Sequence, residues 1–216
     1  MIPKSRVEAF SDSVMAIVMT LIAFDLRPPA VGSHTSLAQT LHLMLPFVPL
    51  LISFALSFTM VTVYWINHYY LFHHVKTVTV PLLWLNGLLL FWICVLPFTT
   101  QFLGEHPVHP LAITAYATNL LLVGLSYLLL RRHILKAGLF DATELAGVYG
   151  PHHSVPSIVL SLCAIVLAPI NSLLALGCLL LLPLLYLGPK TWKELAKHSR
   201  RLRKRHLQDS VVDPPD

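Results

Sequence analysis

Apolar stretches long enough to cross a bilayer recur six times along this chain, with polar or charged punctuation between them. A hydrocarbon core about 30 Å thick takes roughly 20 helical residues, and that yardstick places spans at about 7–26, 43–72, 79–103, 110–130, 154–170 and 172–188. The fold class that follows is an all-α membrane protein of six transmembrane helices. With 56% hydrophobic and only 12% charged residues, the chain is too charge-poor for an ordinary water-soluble domain. The second span is long enough to tilt, or to begin as an interfacial segment around Pro46 and Pro49. The turn at Leu167–Asn171 is very tight, so one long broken segment competes with two separate helices there.

The basic residues test the six-span division, because cytoplasmic loops carry the excess of Lys and Arg. Assigning the N-terminus, the loops near 73–78 and 131–153, and the C-terminal tail to one side collects 14 of the 15 basic residues, with only Arg27 opposite. Both termini are therefore expected in the cytoplasm. Residues 1–190 read as one six-helix unit and 191–216 as a basic cytoplasmic tail. That tail, KTWKELAKHSRRLRKRH, either ends the last span as a solvated stop or rests on anionic lipid. Nucleic acid is not implied, since the basic residues gather at span ends and in the tail. Cys94, Cys163 and Cys178 each lie inside an apolar run with no C-x-x-C spacing, so neither a disulfide framework nor a zinc site is expected.

The first span, RVEAFSDSVMAIVMTLIAFDL, carries an acidic residue well inside its apolar run, and an ionisable group there is a functional site by default. It lacks the shape of a secretory signal, because Arg27-Pro28-Pro29 follows in place of a small-residue cleavage site. Advancing 100° per residue from Ile17 brings Phe10, Ser13, Leu21 and Phe24 within about 40° of one line, with Thr20 about 60° to one side. Glu8, Asp12, Met15 and Met19 lie opposite. If the carboxylate face turns inward to its own subunit, the Ile17 stripe meets lipid or another subunit.

Depth suggests partners for Asp12, which lies about six residues, or roughly 9 Å, into its helix. His68 and Asn86 lie at comparable depth in the second and third spans, so a polar layer of Ser11, Asp12, His68 and Asn86 is expected, with Trp65 and Trp84 as nearby packing or indole donors. The layer fixes helix orientation through hydrogen bonds; the alternative is a proton path through Asp12 and His68. The remaining histidines, His73-His74, His106, His109 and His152-His153, fall at loops where solvated imidazoles are ordinary. No third ligand accompanies any pair, and no metal site is expected.

Arg6-x-x-x-Phe10-Ser11-Asp12, followed by Ala16-Ile17 and Thr20-Leu21, resembles the signature of the endosomal/lysosomal potassium channel family, the transmembrane protein 175 family, in its prokaryotic six-helix branch. The likeness continues through YWINHYYLF (64–72) and LLWLNGLLLFWICVLPF (82–98), and beyond the first hundred residues it rests on hydropathy alone. The resemblance implies a homotetramer whose first helices line a central pore without a TVGYG-type filter, and this chain has no such string. It further implies that Ile17 forms the narrowest ring, that Thr20 influences ion preference, and that Leu21 and Phe24 add apolar layers. Arg6, Phe10, Ser11 and Asp12 map to the motif that brace the pore helix. Ser13 and Phe24 depart from the pattern, where glycine and an aliphatic residue are commoner.

The function expected is a passive potassium-permeable cation channel closed by dewetting at an apolar constriction. Ile17 offers no oxygen to replace a hydration shell, so a weak to moderate preference for K+ over Na+ is expected, with some proton leak. A proton channel or proton-coupled transporter is the alternative, although the inverted repeats such a transporter favours are not evident. No catalytic motif such as H-E-x-x-H is present, and no cofactor beyond permeant K+ is expected. The partners expected are further copies of the chain and the bilayer. The setting expected is a prokaryotic plasma membrane.

Overall fold

A computed structural model describes residues 3–28, 30, 36–139 and 155–187, and every regular element among them is helical. The elements are α1 (Lys4–Phe24), α2 (Leu37–Met44), a single 3-10 turn (Leu45–Phe47), α3 (Val48–His73), α4 (Val80–Cys94), α5 (Leu96–Glu105), α6 (Pro110–Lys136), α7 (Val155–Leu167) and α8 (Ser172–Leu187). With α2–α3 and α4–α5 each counted as one segment, six helical segments result. Four of these are long and apolar enough to cross a membrane, and α7 and α8 are shorter apolar helices. The basic tail at 191–216 and His152-His153 lie outside the described residues.

Proline sets most of the starts. It occupies one of the first two positions of α3, α4, α5 and α6, where its missing N–H is no loss and its fixed φ already suits a helix. Pro46 and Pro49, where the sequence left open an interfacial start as well as a tilted span, lie in a 3-10 turn and a first turn that the chain passes through. The helix starts at Leu37, six residues before the expected start at 43, behind a Ser36/Gln39 capping box. The joined segment of 37 residues is about 55 Å long, so α2 reaches past the hydrocarbon that α3 alone can span.

Two further segments differ from the expectation, and the tight turn near 167–171 separates two helices as the six-span division has it. The third segment is broken at Val95, because Pro97 cannot donate to the Ile93 carbonyl, and it runs on to Glu105. The fourth continues through Arg131 and Arg132 to Lys136, so these residues belong to the last turns of a helix, where positive charge suits the dipole. It ends in a Schellman pair, Leu139 N to Ile134 O and Gly138 N to Leu135 O, with Gly138 at φ 62°. Between α7 and α8 the chain makes a four-residue turn, and Asn171 Oδ1 caps α8 by accepting from the amides of Leu173 and Leu174. The two helices pack against each other as separate elements.

The core is built around α6. Ile113, Tyr116, Ala117, Leu120, Val123, Leu130 and Ile134 are buried along its length, and α6 packs on α4 and α5 on one side and on α7 and α8 on the other. On the α4–α5 side, α1 rests on α3, α4 and α5.

Candidate functional site

The buried residues of α1 are Val7, Ser11, Met15, Val18 and Ile22, which recur every three or four positions as one helical face. Opposite them the bulky side chains find no cover from the rest of the chain. Phe10 is 62% exposed, Ile17 57%, Leu21 46% and Phe24 75%, and Ser13 and Thr20 are exposed beside them. Their hydroxyls are turned back on the helix, Ser13 donating to the Ala9 carbonyl at 2.8 Å and Thr20 to the Ile17 carbonyl at 2.7 Å. With each proton so used, the outward lone pairs are acceptors.

Behind α1 the buried Ser11, His68 and Asn86 are joined. Ser11 Oγ donates to the Val7 carbonyl at 2.9 Å and so has only acceptor capacity left for a partner. Asn86 Nδ2 fills it at 2.9 Å, which turns Asn86 Oδ1 toward His68 Nε2 at 2.8 Å. His68 must then carry its proton on Nε2. A side-chain amide thus links three helices, α1, α3 and α4, in apolar surroundings where each such group needs a partner.

The rest of the expected layer is arranged differently. Asp12 is exposed on the isolated chain, because the buried face is centred between Val7 and Met15 and Asp12 falls about 100° from that centre. Its Oδ1 accepts a hydrogen bond from Trp65 Nε1 at 2.9 Å, so it touches α3 without joining the buried trio. Trp84 stands apart, 78% exposed. Arg6 and Phe10 are exposed too, since both lie about 20° from Ile17 around the helix; of the four motif residues, only Ser11 and Asp12 hold α1 to its own subunit. Glu8, on the carboxylate face, pairs with Lys4 at 3.6 Å, and Lys4 Nζ donates to the His73 carbonyl at the end of α3 at 2.8 Å. Lys4 was not singled out in the sequence, although a cation level with a helix C-terminus is the signal that would have found it.

At the other end of α1, Asp25 follows Phe24 directly. Partial burial holds its carboxyl above the ordinary value of 3.8, with Arg27 opposing the shift and Glu105 adding to it. Among the described residues, no three His, Cys, Asp or Glu side chains are grouped to hold a metal.

One face of the first helix is thus anchored by buried polar bonds, and the opposite, apolar face is left for lipid or for another subunit. The comparisons define the class further. A family model described as endosomal/lysosomal potassium channel TMEM175 matches residues 6–97. A potassium channel of Streptomyces collinus is 30% identical over 63% of this chain and 67% of its own length, and one of Chryseobacterium is 29% identical over 86% and 93%. The crystal structure of a lysosomal potassium-selective channel TMEM175 homolog from Chamaesiphon minutus superposes with a TM-score of 0.70 at 26% identity, covering 85% of this chain and 95% of that one. This chain belongs to the TMEM175 family, and it is an integral membrane protein of that family of ion channels.

Proposed function

We propose that four copies of this chain form a passive K+-permeable cation channel, with the Ile17 stripe of each α1 turned to a central path. The observation that carries the reading is the two-sidedness of α1: one face is fixed by the Ser11–Asn86–His68 bonds, and the other leaves Ile17, Leu21 and Phe24 uncovered. Four Ile17 side chains in a ring exclude water and close the path by dewetting. Leu21 and Phe24 add apolar layers beyond it, and Ser13 and Thr20 supply outward oxygen acceptors. Few such oxygens replace a hydration shell poorly, so the preference for K+ over Na+ is weak to moderate. Arg6 and Phe10, with the outer edge of Asp12, meet the neighbouring subunit. Residues 1–190 are the channel unit, both termini are cytoplasmic, the membrane is a prokaryotic plasma membrane, and the basic tail at 191–216 ends the last span as a solvated stop on the cytoplasmic side.

The bovine relative named endosomal/lysosomal proton channel TMEM175, 34% identical over 45% of this chain and 22% of its own length, favours proton permeation as a second reading. A wire between Asp12 and His68 does not support it. Their bonded partners are an indole and an amide, and the indole N–H is a donor only, unable to pass a proton on. Protons would share the Ile17 path instead.

Reconstitution into liposomes tests both readings. A current that reverses at the K+ equilibrium potential and needs no second gradient is expected, and Ile17→Asn, which wets the ring, raises it. Reversal that follows the proton gradient alone supports the second reading. No conductance, or strict coupling of K+ to protons, contradicts the channel.

A further inference from the structure

The segment from Val80 to Glu105 contains a deliberate break. Pro97 interrupts the amide ladder between α4 and α5, the Ile93 carbonyl being taken by Val95 N–H, and a broken helix at membrane depth needs neighbours to satisfy its backbone and hold its angle. Two residues of α6, three apart and so on one face, are linked to opposite sides of that break, one directly and one through Ser57 of α3. Asn119 Nδ2 donates to the Trp92 carbonyl of α4 at 3.2 Å. Tyr116, fully buried, meets Ser57 Oγ of α3 at 2.9 Å, and Ser57 Oγ lies 2.7 Å from Thr100 Oγ1 of α5.

Counting protons gives this chain a direction. Thr100 Oγ1 is also 2.7 Å from the Leu96 carbonyl, which has no proton of its own to offer. Thr100 therefore donates to Leu96, Ser57 donates to Thr100, and Tyr116 donates to Ser57, so each hydroxyl proton is used once. None of these residues belongs to the polar layer behind Ile17.

The two halves of the broken segment back different parts of α1. The N-terminal half is bonded to α4 through Ser11 and Asn86, and α1 also packs on α5, whose terminal Glu105 lies close enough to act on the charge of Asp25. In the channel reading, α1 leans away from the axis only by displacing the α4–α5 wall it packs on. We infer that Tyr116 and Asn119 splint the Pro97 break and thereby hold α1 in its narrow arrangement, as positioning residues for the pore; the inference rests on the channel reading above.

K+ flux from proteoliposomes tests it with Tyr116→Phe and Asn119→Ala, each alone and each combined with Ile17→Asn. Alone, each raises flux about fivefold, the shift in population that one net hydrogen bond carries. Combined with Ile17→Asn, neither adds to the flux, because the ring no longer limits it. Flux at or below the parent's in either single variant, with Ile17→Asn still conducting more, overturns the splint and leaves the pore reading intact. An equal rise in both backgrounds also overturns it, since the effect then bypasses the ring. Flux in Ile17→Asn no greater than the parent's removes the pore reading itself. Thr100→Val breaks the same hydroxyl chain from α5 and replaces Tyr116→Phe if that variant fails to reconstitute.

Discussion

Asn86 does the work of two residues because an amide both donates and accepts, and in the buried trio it donates to Ser11 and accepts from His68. Asn86→Leu keeps the volume but strands both partners in an apolar interior, at about 1–3 kcal/mol for each unsatisfied group. A fall in melting temperature in detergent larger than that of Trp84→Leu, whose parent residue is exposed, is the expected outcome. Asp25 gives a pH-dependent counterpart. Its carboxyl is raised above 3.8 in the fold, so its charge costs stability at neutral pH, and the cost fades as pH falls through the raised value toward 3.8. Asp25→Asn therefore melts slightly higher than the parent at pH 7, and melting curves across an acid series show the difference shrinking through that window. The contacts of Ser11, His68 and Asn86 were legible because depth along a helix is a count of residues. Asp12 meets the Trp65 indole expected beside it, but stays outside the buried trio, because the rule that a carboxylate avoids lipid does not say which protein surface it faces. Ser57, Thr100 and Tyr116 were missed because isolated hydroxyls are common in apolar helices; matched depth on three spans was the available signal.

Between elements, close approach decides the geometry, and α5 lies tightly against α3 at Gly104. A Cβ added there would lie 2.6 Å from Ser53 Oγ, 2.8 Å from Leu50 Cδ2 and 3.1 Å from Leu50 Cα. Gly104→Ala accordingly forces the two helices apart, at about 1–3 kcal/mol for overpacking, whereas an added Cβ at Gly87 meets nothing within 4 Å. Thermal unfolding is expected to separate the two variants clearly, with Gly87→Ala close to the parent. The helices themselves were legible from apolar run length, but not their breaks. A hydropathy pattern is blind to the loss of one amide proton at Pro97, and it reads Pro46 and Pro49 as a boundary where the chain uses them within a turn that continues the helix.

For the whole subunit, the uncovered side of α1 is the organising fact. Three helices fix one face of α1 while Phe10, Ile17, Leu21 and Phe24 stay bare, and in the proposed channel those bare side chains meet further copies of the chain. The sequence disclosed that stripe through angular arithmetic alone; the number of copies around it is not encoded in any one helix. Disulfide capture at the stripe, read together with the mass of the detergent-solubilised assembly, measures it most directly. Ile17→Cys is predicted to cross-link copy to copy under mild oxidation within an assembly of four 24.1 kDa chains. Val18→Cys, buried against its own subunit, is predicted to give no more cross-linking than the unmodified chain with its three native cysteines. A monomeric or dimeric mass, or equal cross-linking at both positions, would contradict a pore lined by the first helix.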